Sequence, residues 1–132
     1  MSVKDRIKRH EGKRNKPYKC SEGYLTIGYG RNLETVGLSD AEIDYLFAAD
    51  YQRAVELAKS FVVYETLNDV RRGVLVEMIF QMGRTGVAKF KKFLARSSEE
   101  DYEAAAVEML QSKWAKQTPR RAKELSELFR NG

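Results

Sequence analysis

The sequence predicts an α+β fold that is mostly α, with one small β-hairpin near the N-terminus, and three observations carry that reading. Two long stretches, Ser39 to Ala58 and Leu67 to Met82, repeat apolar residues at helical spacing. A single stretch, Tyr18 to Gly30, concentrates β-prone residues and glycine. Only two prolines occur in 132 residues, so little interrupts the helices.

In chain order, a first helix is signalled by Ser2 with Asp5 three positions on, and Val3, Ile7 and His10 lie along one side. It should stop at Glu11-Gly12, because glycine accepts the left-handed backbone that ends helices. Tyr18, Tyr24, Leu25, Thr26, Ile27 and Tyr29 then form a hairpin about the turn Ser21-Glu22-Gly23, its second strand covering Gly23 to Gly30. Ser39 is the expected N-cap of the next helix, with Glu42 completing a capping box and Asp40 favoured by the helix dipole. Ile43, Phe47, Tyr51, Val55 and Ala58 continue at helical spacing, and about 20 such residues reach about 30 Å, enough to join two lobes. The helix from Leu67 to Met82 has Asn68 as its cap, apolar residues on more than one face, and Gly83 as its stop. Shorter helices are expected over Thr85–Ala95 and Asp101–Gln111, and a last one begins at Thr118-Pro119, with Thr capping and Pro at the first helical position. Met78, Met82 and Met109 read as core, and Trp114 as a packed anchor.

Charge and cysteine content narrow the functions. No apolar run approaches the roughly 20 residues of a membrane span, so no membrane insertion is expected. No apolar core follows the charges of the first residues, so the chain is expected to be made in the cytoplasm. Cys20 is the lone cysteine, which excludes an intramolecular disulfide and matches no metal spacing; neither metal nor organic cofactor is expected. The net charge is +5, unevenly spread: residues 1–19 hold eight Lys/Arg against Asp5 and Glu11, whereas residues 34–56 hold six acids against Arg53. Such a surface suits an anionic polymer, nucleic acid or bacterial wall. No zinc spacing, RNA-recognition motif or recognition helix supports nucleic acid.

Glu11 is the residue best placed for acid chemistry. At a helix C-terminus the macrodipole presents partial negative charge, which works against the ionised carboxylate. Alone, that position fits a solvated glutamate in a frayed last turn better than a catalytic acid. His10 with Cys20 suggests a Cys–His peptidase, but no orienting Asn or Asp motif accompanies them.

The order of residues after Glu11 is more informative. Glu11-Gly12, followed by Tyr18 through Gly30, resembles the catalytic segment of the phage-type lysozymes (endolysins) of glycoside hydrolase family 24, in which a Glu is followed after eight residues by Asp or Cys and after five more by Thr. Glu11, Cys20 and Thr26 meet that spacing. Val70-Arg71-Arg72, Phe80 through Ala88, Ala105-Ala106-Val107 and Trp114 through Ala122 continue the resemblance over nearly the whole chain. Two differences stand out: the stretch between Leu33 and Gly37 looks shortened, and the C-terminus stops a few residues early.

The resemblance implies a two-lobed lysozyme-like fold in one domain: an N-terminal lobe over residues 12–38, a connecting helix over 39–59, and a helical C-terminal lobe over 60–132 on which the helix of residues 1–11 packs. It implies a monomer that cuts the β-1,4 bond between N-acetylmuramic acid and N-acetylglucosamine in bacterial peptidoglycan, probing the wall after another protein has opened the membrane. Glu11 would be the general acid, Cys20 the second catalytic residue, and Thr26 the residue that orients water. Arg121 matches an arginine that pairs with the acid across the cleft. Phe80 and Gln81 match sugar-contacting positions, and Gly30 the cleft floor. Asn32, Phe93 and Glu108 stand at further cleft positions with side chains of changed character. Three roles are open to Cys20: a thiolate base favoured by Lys19, Arg31 or Arg121, a filler beside a water held by Thr26, or a replacement that leaves a weakened wall-binding protein.

Overall fold

The computed structural model describes residues 2–132. The chain divides into two compact units, the first ending at Leu46 and the second running from Phe47 to Gly132. Together they contain seven α-helices and one three-stranded sheet among the described residues, the mostly helical α+β class expected.

In the first unit, helix α1 spans Val3–Glu11. The Ser2 hydroxyl accepts the Asp5 amide at 3.0 Å, and Gly12, at φ 73°, donates its amide to the Lys8 carbonyl at 2.9 Å. Both boundaries are where cap chemistry puts them. Strands β1 (Arg14–Lys19), β2 (Leu25–Gly28) and β3 (Arg31–Asn32) follow, antiparallel and in that spatial order. Tyr18 pairs with Thr26 across β1 and β2, and Thr26 pairs with Asn32 across β2 and β3. Thr26 therefore sits in the central strand, with 3% of its surface exposed.

The hairpin is larger than its side chains suggested. β1 starts at Arg14, four residues before Tyr18, although Arg14, Asn15, Lys16 and Pro17 carry little β-propensity. Pairing with β2 holds them there, and the register slips between Arg14 and Tyr18, where Pro17 has no N–H for the ladder. β2 is shorter than the Gly23–Gly30 segment because its flanking residues belong to turns. β3 was not foreseen, since two residues are too few to show alternation.

Ser39 and Glu42 form the capping box: the Ser39 amide donates to Glu42 Oε1 at 2.8 Å and the Glu42 amide to Ser39 Oγ at 3.2 Å. Helix α2 then runs over Asp40–Lys59, from the first unit into the second.

The second unit continues with a short 3-10 helix, Val62–Thr66, and α3, Asp69–Ala88. Asn68 caps α3 by accepting the Arg71 amide at 3.0 Å. Gly83 breaks the helical path at φ 77° and ψ 166°, as its position suggested, but a further turn resumes and reaches Ala88. The helix expected over Thr85–Ala95 is thus two pieces, the tail of α3 and α4 (Lys91–Ser98). Helix α5 (Tyr102–Leu110) is capped by Asp101, α6 (Lys113–Gln117) by Ser112, and α7 (Pro119–Asn131) begins at its proline. The five-residue α6 lay below the reach of periodicity. It also takes the Thr118 hydroxyl, which donates to the Trp114 carbonyl at 3.0 Å and so closes α6 instead of capping α7.

Leu75, Met78, Val87, Met109 and Phe129 are fully buried and define the core of this unit. Trp114 is the packed anchor expected, its indole N–H donating to Gln81 Oε1 at 2.9 Å. No helix among the described residues is long and apolar enough to cross a membrane.

Candidate active site

Glu11 ends α1 with its carboxyl group against Gly30 in the turn before β3. A Cβ built on Gly30 would stand 2.6 Å from Glu11 Oε2 and 3.0 Å from its Cδ, and Gly30 has φ +75°. Only glycine satisfies both the close approach and the backbone. The floor position suggested by sequence is therefore in contact with the acid.

Cys20 and Thr26 lie across the β1–β2 turn. The Cys20 amide donates to the Tyr24 carbonyl at 2.9 Å, and the Gly23 amide returns to the Cys20 carbonyl at 2.8 Å. The Thr26 hydroxyl donates to the same Tyr24 carbonyl at 2.9 Å. The partly buried thiol faces donors on this turn, and its pKa is held below the ordinary thiol value. The Glu22 amide contributes most, then the Tyr24 amide, and the Thr26 hydroxyl adds to them, against desolvation and the Glu22 charge.

The cations expected to favour the thiolate do not appear among these causes. Arg31 is engaged by Glu42, at 2.8 Å from Nη1 to Oε1 and 2.5 Å from Nη2 to Oε2. Hydrogen bonds from Arg31 first, and then from Ser39, hold the Glu42 carboxyl down to about 2. Arg121 donates from Nε to Glu77 Oε2 at 2.8 Å, a partner within its own unit that the sequence did not suggest.

The remaining sequence-selected residues separate. Asn32 organises its own loop: Oδ1 accepts the Glu34 amide at 3.0 Å and the Thr35 amide at 2.9 Å. Glu34 clips that loop back onto β2 by accepting the Leu25 amide at 2.5 Å. In the second unit, Phe80 is exposed on α3 with its ring 5.6 Å from that of Phe47, and both line a groove with Tyr51, Val76, Glu77 and Arg121. Phe80 and Arg121 are thus brought together. Gln81 is held by Trp114. Glu108 lines a second groove with Phe90, Trp114, Lys89, Lys92 and Lys113. Phe93 is 2% exposed, packs its ring 4.9 Å from that of Phe129 and so serves the core, while lying at the wall of the same groove as Glu108.

Three contributors escaped the sequence. The Glu22 and Tyr24 amides are invisible to any side-chain pattern. The Glu42 capping box was visible, but its second bond, to Arg31, required the fold.

Residues 8–130 match the phage lysozyme family. The chain belongs to that family. This makes it a lysozyme-type peptidoglycan hydrolase. Among its relatives, probable T4-type lysozyme 2 of Dictyostelium discoideum is 29% identical over 161 aligned positions, covering 99% of this chain and 95% of the relative. Probable T4-type lysozyme 1 of the same organism is 30% identical with the same coverage. The pre-baseplate central spike protein Gp5 of Enterobacteria phage T4 is 30% identical over 100% of this chain but only 28% of its own length. An alignment of 161 positions against 132 residues means that the Dictyostelium relatives carry segments this chain lacks.

Proposed function

We propose that the chain is a muramidase that hydrolyses the β-1,4 bond between N-acetylmuramic acid and N-acetylglucosamine with inversion. Glu11 acts as general acid, Cys20 as thiolate base, and Thr26 as the holder of the attacking water. The observation that carries the reading is the presence in one unit of two kinds of group: a carboxyl group seated on Gly30, and a thiol whose charged form is stabilised by backbone amides.

Inverting hydrolysis needs one group to protonate the leaving oxygen and another to take a proton from water on the opposite face of the sugar. Glu11 gives its proton to the glycosidic oxygen as the bond from that oxygen to the anomeric carbon breaks. The water oxygen bonds the anomeric carbon, and its proton passes to the Cys20 sulfur. Solvent then reprotonates Glu11, and the thiol releases its proton. The single Thr26 hydroxyl proton turns either to the Tyr24 carbonyl or to the Cys20 sulfur, and in both cases the Thr26 oxygen keeps a lone pair that accepts a water hydrogen. Phe80 and Arg121 in one groove, Glu108 in a second, and Gln81 beside Trp114 are assigned to the sugar chain and its substituents. The Asn32 oxygen is shared between two amides, so its Nδ2 donors are what it can offer the sugar chain.

The deciding experiment compares the parent and Glu11→Gln on purified peptidoglycan, counting new reducing ends and identifying the sugar that bears them. Muramic acid ends in the parent and their near-complete loss in the variant are expected. Undiminished release by Glu11→Gln removes Glu11 from the mechanism, and new amino groups in place of sugar ends make the protein an amidase or peptidase.

A further inference from the structure

We propose that Arg31 and Glu42 are positioning residues whose ion pair fixes β3 to the start of α2, and that β3 thereby sets the separation between the Glu11 carboxyl group and the Cys20–Thr26 pair. The inference rests on the muramidase reading.

β3 is the element that touches both halves of the reaction. Gly30, immediately before it, carries the Glu11 carboxyl group on its backbone. Asn32, its last residue, stands opposite Thr26 in the ladder with β2. A strand of two residues has few ladder bonds of its own, so its position depends on what else grips it. Arg31 supplies the grip. Its guanidinium meets both oxygens of Glu42, and Nη1 also donates to the Gly37 carbonyl at 3.1 Å, closing the loop that leads to α2. Glu42 Oε1 in turn accepts the Ser39 amide, so one carboxylate is shared between β3 and the first turn of α2.

An ion pair as exposed as this one ordinarily adds little to stability. Its forked geometry and its sharing of the capping box restrict direction more than they add energy. Inverting glycosidases depend on the spacing of acid and base, and an error of about 1 Å in placing reacting groups costs up to about 100-fold in rate. The pair thus belongs to the site even though neither side chain need touch substrate. Because Glu42 stays ionised down to about 2, the grip persists wherever Glu11 and Cys20 exchange protons.

The test uses Glu42→Gln, which can still accept the Ser39 amide, and Arg31→Lys, which keeps the charge without the fork. On soluble peptidoglycan fragments each is expected to lower kcat by about 10- to 100-fold with KM within about twofold. In a double-mutant cycle the Arg31→Ala/Glu42→Ala protein is expected to be no slower than the slower single variant. Carbon-13 and amide NMR of the intact protein, recorded without substrate, is expected to show the Glu11 carboxyl carbon and the Gly30 amide shifting in both conservative variants. Unchanged kcat in Glu42→Gln, multiplying effects in the cycle, or unmoved Glu11 and Gly30 resonances would each overturn the proposal. Glu11→Gln, assayed alongside, tests the muramidase reading separately: if it releases reducing ends as fast as the parent, that reading fails while the NMR arm still decides whether the pair positions Glu11.

Discussion

Gly30 is where the smallest side chain matters most. Gly30→Ala forces a Cβ to within 2.6 Å of Glu11 Oε2 at a φ of +75°, a conformation that costs an L-residue roughly 1–2 kcal/mol. The variant is expected to lose about that much stability in denaturant titration, and about 100-fold in reducing-end release because the acid is displaced. Normal activity with normal stability would mean that the contact is soft. Cys20 allows a sharper experiment. With its thiol lowered by the turn amides, activity is expected above the thiol's folded value and to fall as pH drops through it. Cys20→Asp should move that limb several pH units toward acid, since the reference values are about 3.9 for aspartate and about 8.5 for cysteine. Cys20→Ala should lose the limb together with the rate. A limb that stays in place in the Asp variant, or an Ala variant as active as the parent, removes the thiol as base. At this scale the spacing of Glu11, Cys20 and Thr26 was legible because it is a property of the chain itself. What ionises Cys20 was not, because amide directions follow from the turn, and Arg31 and Arg121 are each engaged by a carboxylate of their own unit.

Among the elements, helix starts were the most legible feature, since a cap is a local contact between residues three apart. Ser2, Ser39, Asn68 and Asp101 all accept the amide expected of an N-cap. Asn68→Ala is expected to cost about 1 kcal/mol in thermal or chemical unfolding. The loss should be at the upper end, because Asn68 Nδ2 also donates to the Gly132 carbonyl at 2.8 Å. Short pieces were illegible for the same physical reason that caps were legible. β3 and α6 have two and five residues, fewer than a period needs, and they exist because neighbours pair with or pack on them. Glu42 links the two cases and carries a pH signature. Its carboxyl is held at about 2, well below the ordinary glutamate range near 4.5, so the stabilisation its charge gives is complete above about 4.5 and is lost as pH falls through about 2. The melting temperatures of the parent and Glu42→Gln should therefore differ near neutral pH and converge toward pH 2. A difference that persists at pH 2 would mean that the carboxylate charge is not its source.

For the whole molecule, charge is the property read most directly from sequence, but its use depends on where the fold puts it. Of the arginines near the two ends of the chain, Arg121 is tied to Glu77 and Arg14 lies over the Tyr18 ring at 4.9 Å. A different set gathers in the second unit, where Lys89, Lys91, Lys92 and Lys113 line one groove with Phe90, Trp114 and Glu108. None of these lysines is in an ion pair among the described residues. No linear pattern could reveal this, because Lys113 is brought beside the start of α4 by the packing of α5 and α6. Four exposed lysines against the single carboxylate of Glu108 leave the groove positive, and bacterial wall polymer is anionic. Their long-range pull should weaken as the screening length shortens from about 30 Å at 0.01 M salt to about 10 Å at 0.1 M. Turbidity loss of bacterial walls is therefore expected to slow over that range, and Lys92→Glu/Lys113→Glu to be slower than the parent by about 10-fold at low salt. Because steering acts on encounter and not on bond cleavage, the two rates should converge as salt rises. A deficit of equal size at every ionic strength would instead assign the lysines to direct contact with the bound polymer, and a rate insensitive to salt in both proteins would show that the groove attracts nothing at a distance.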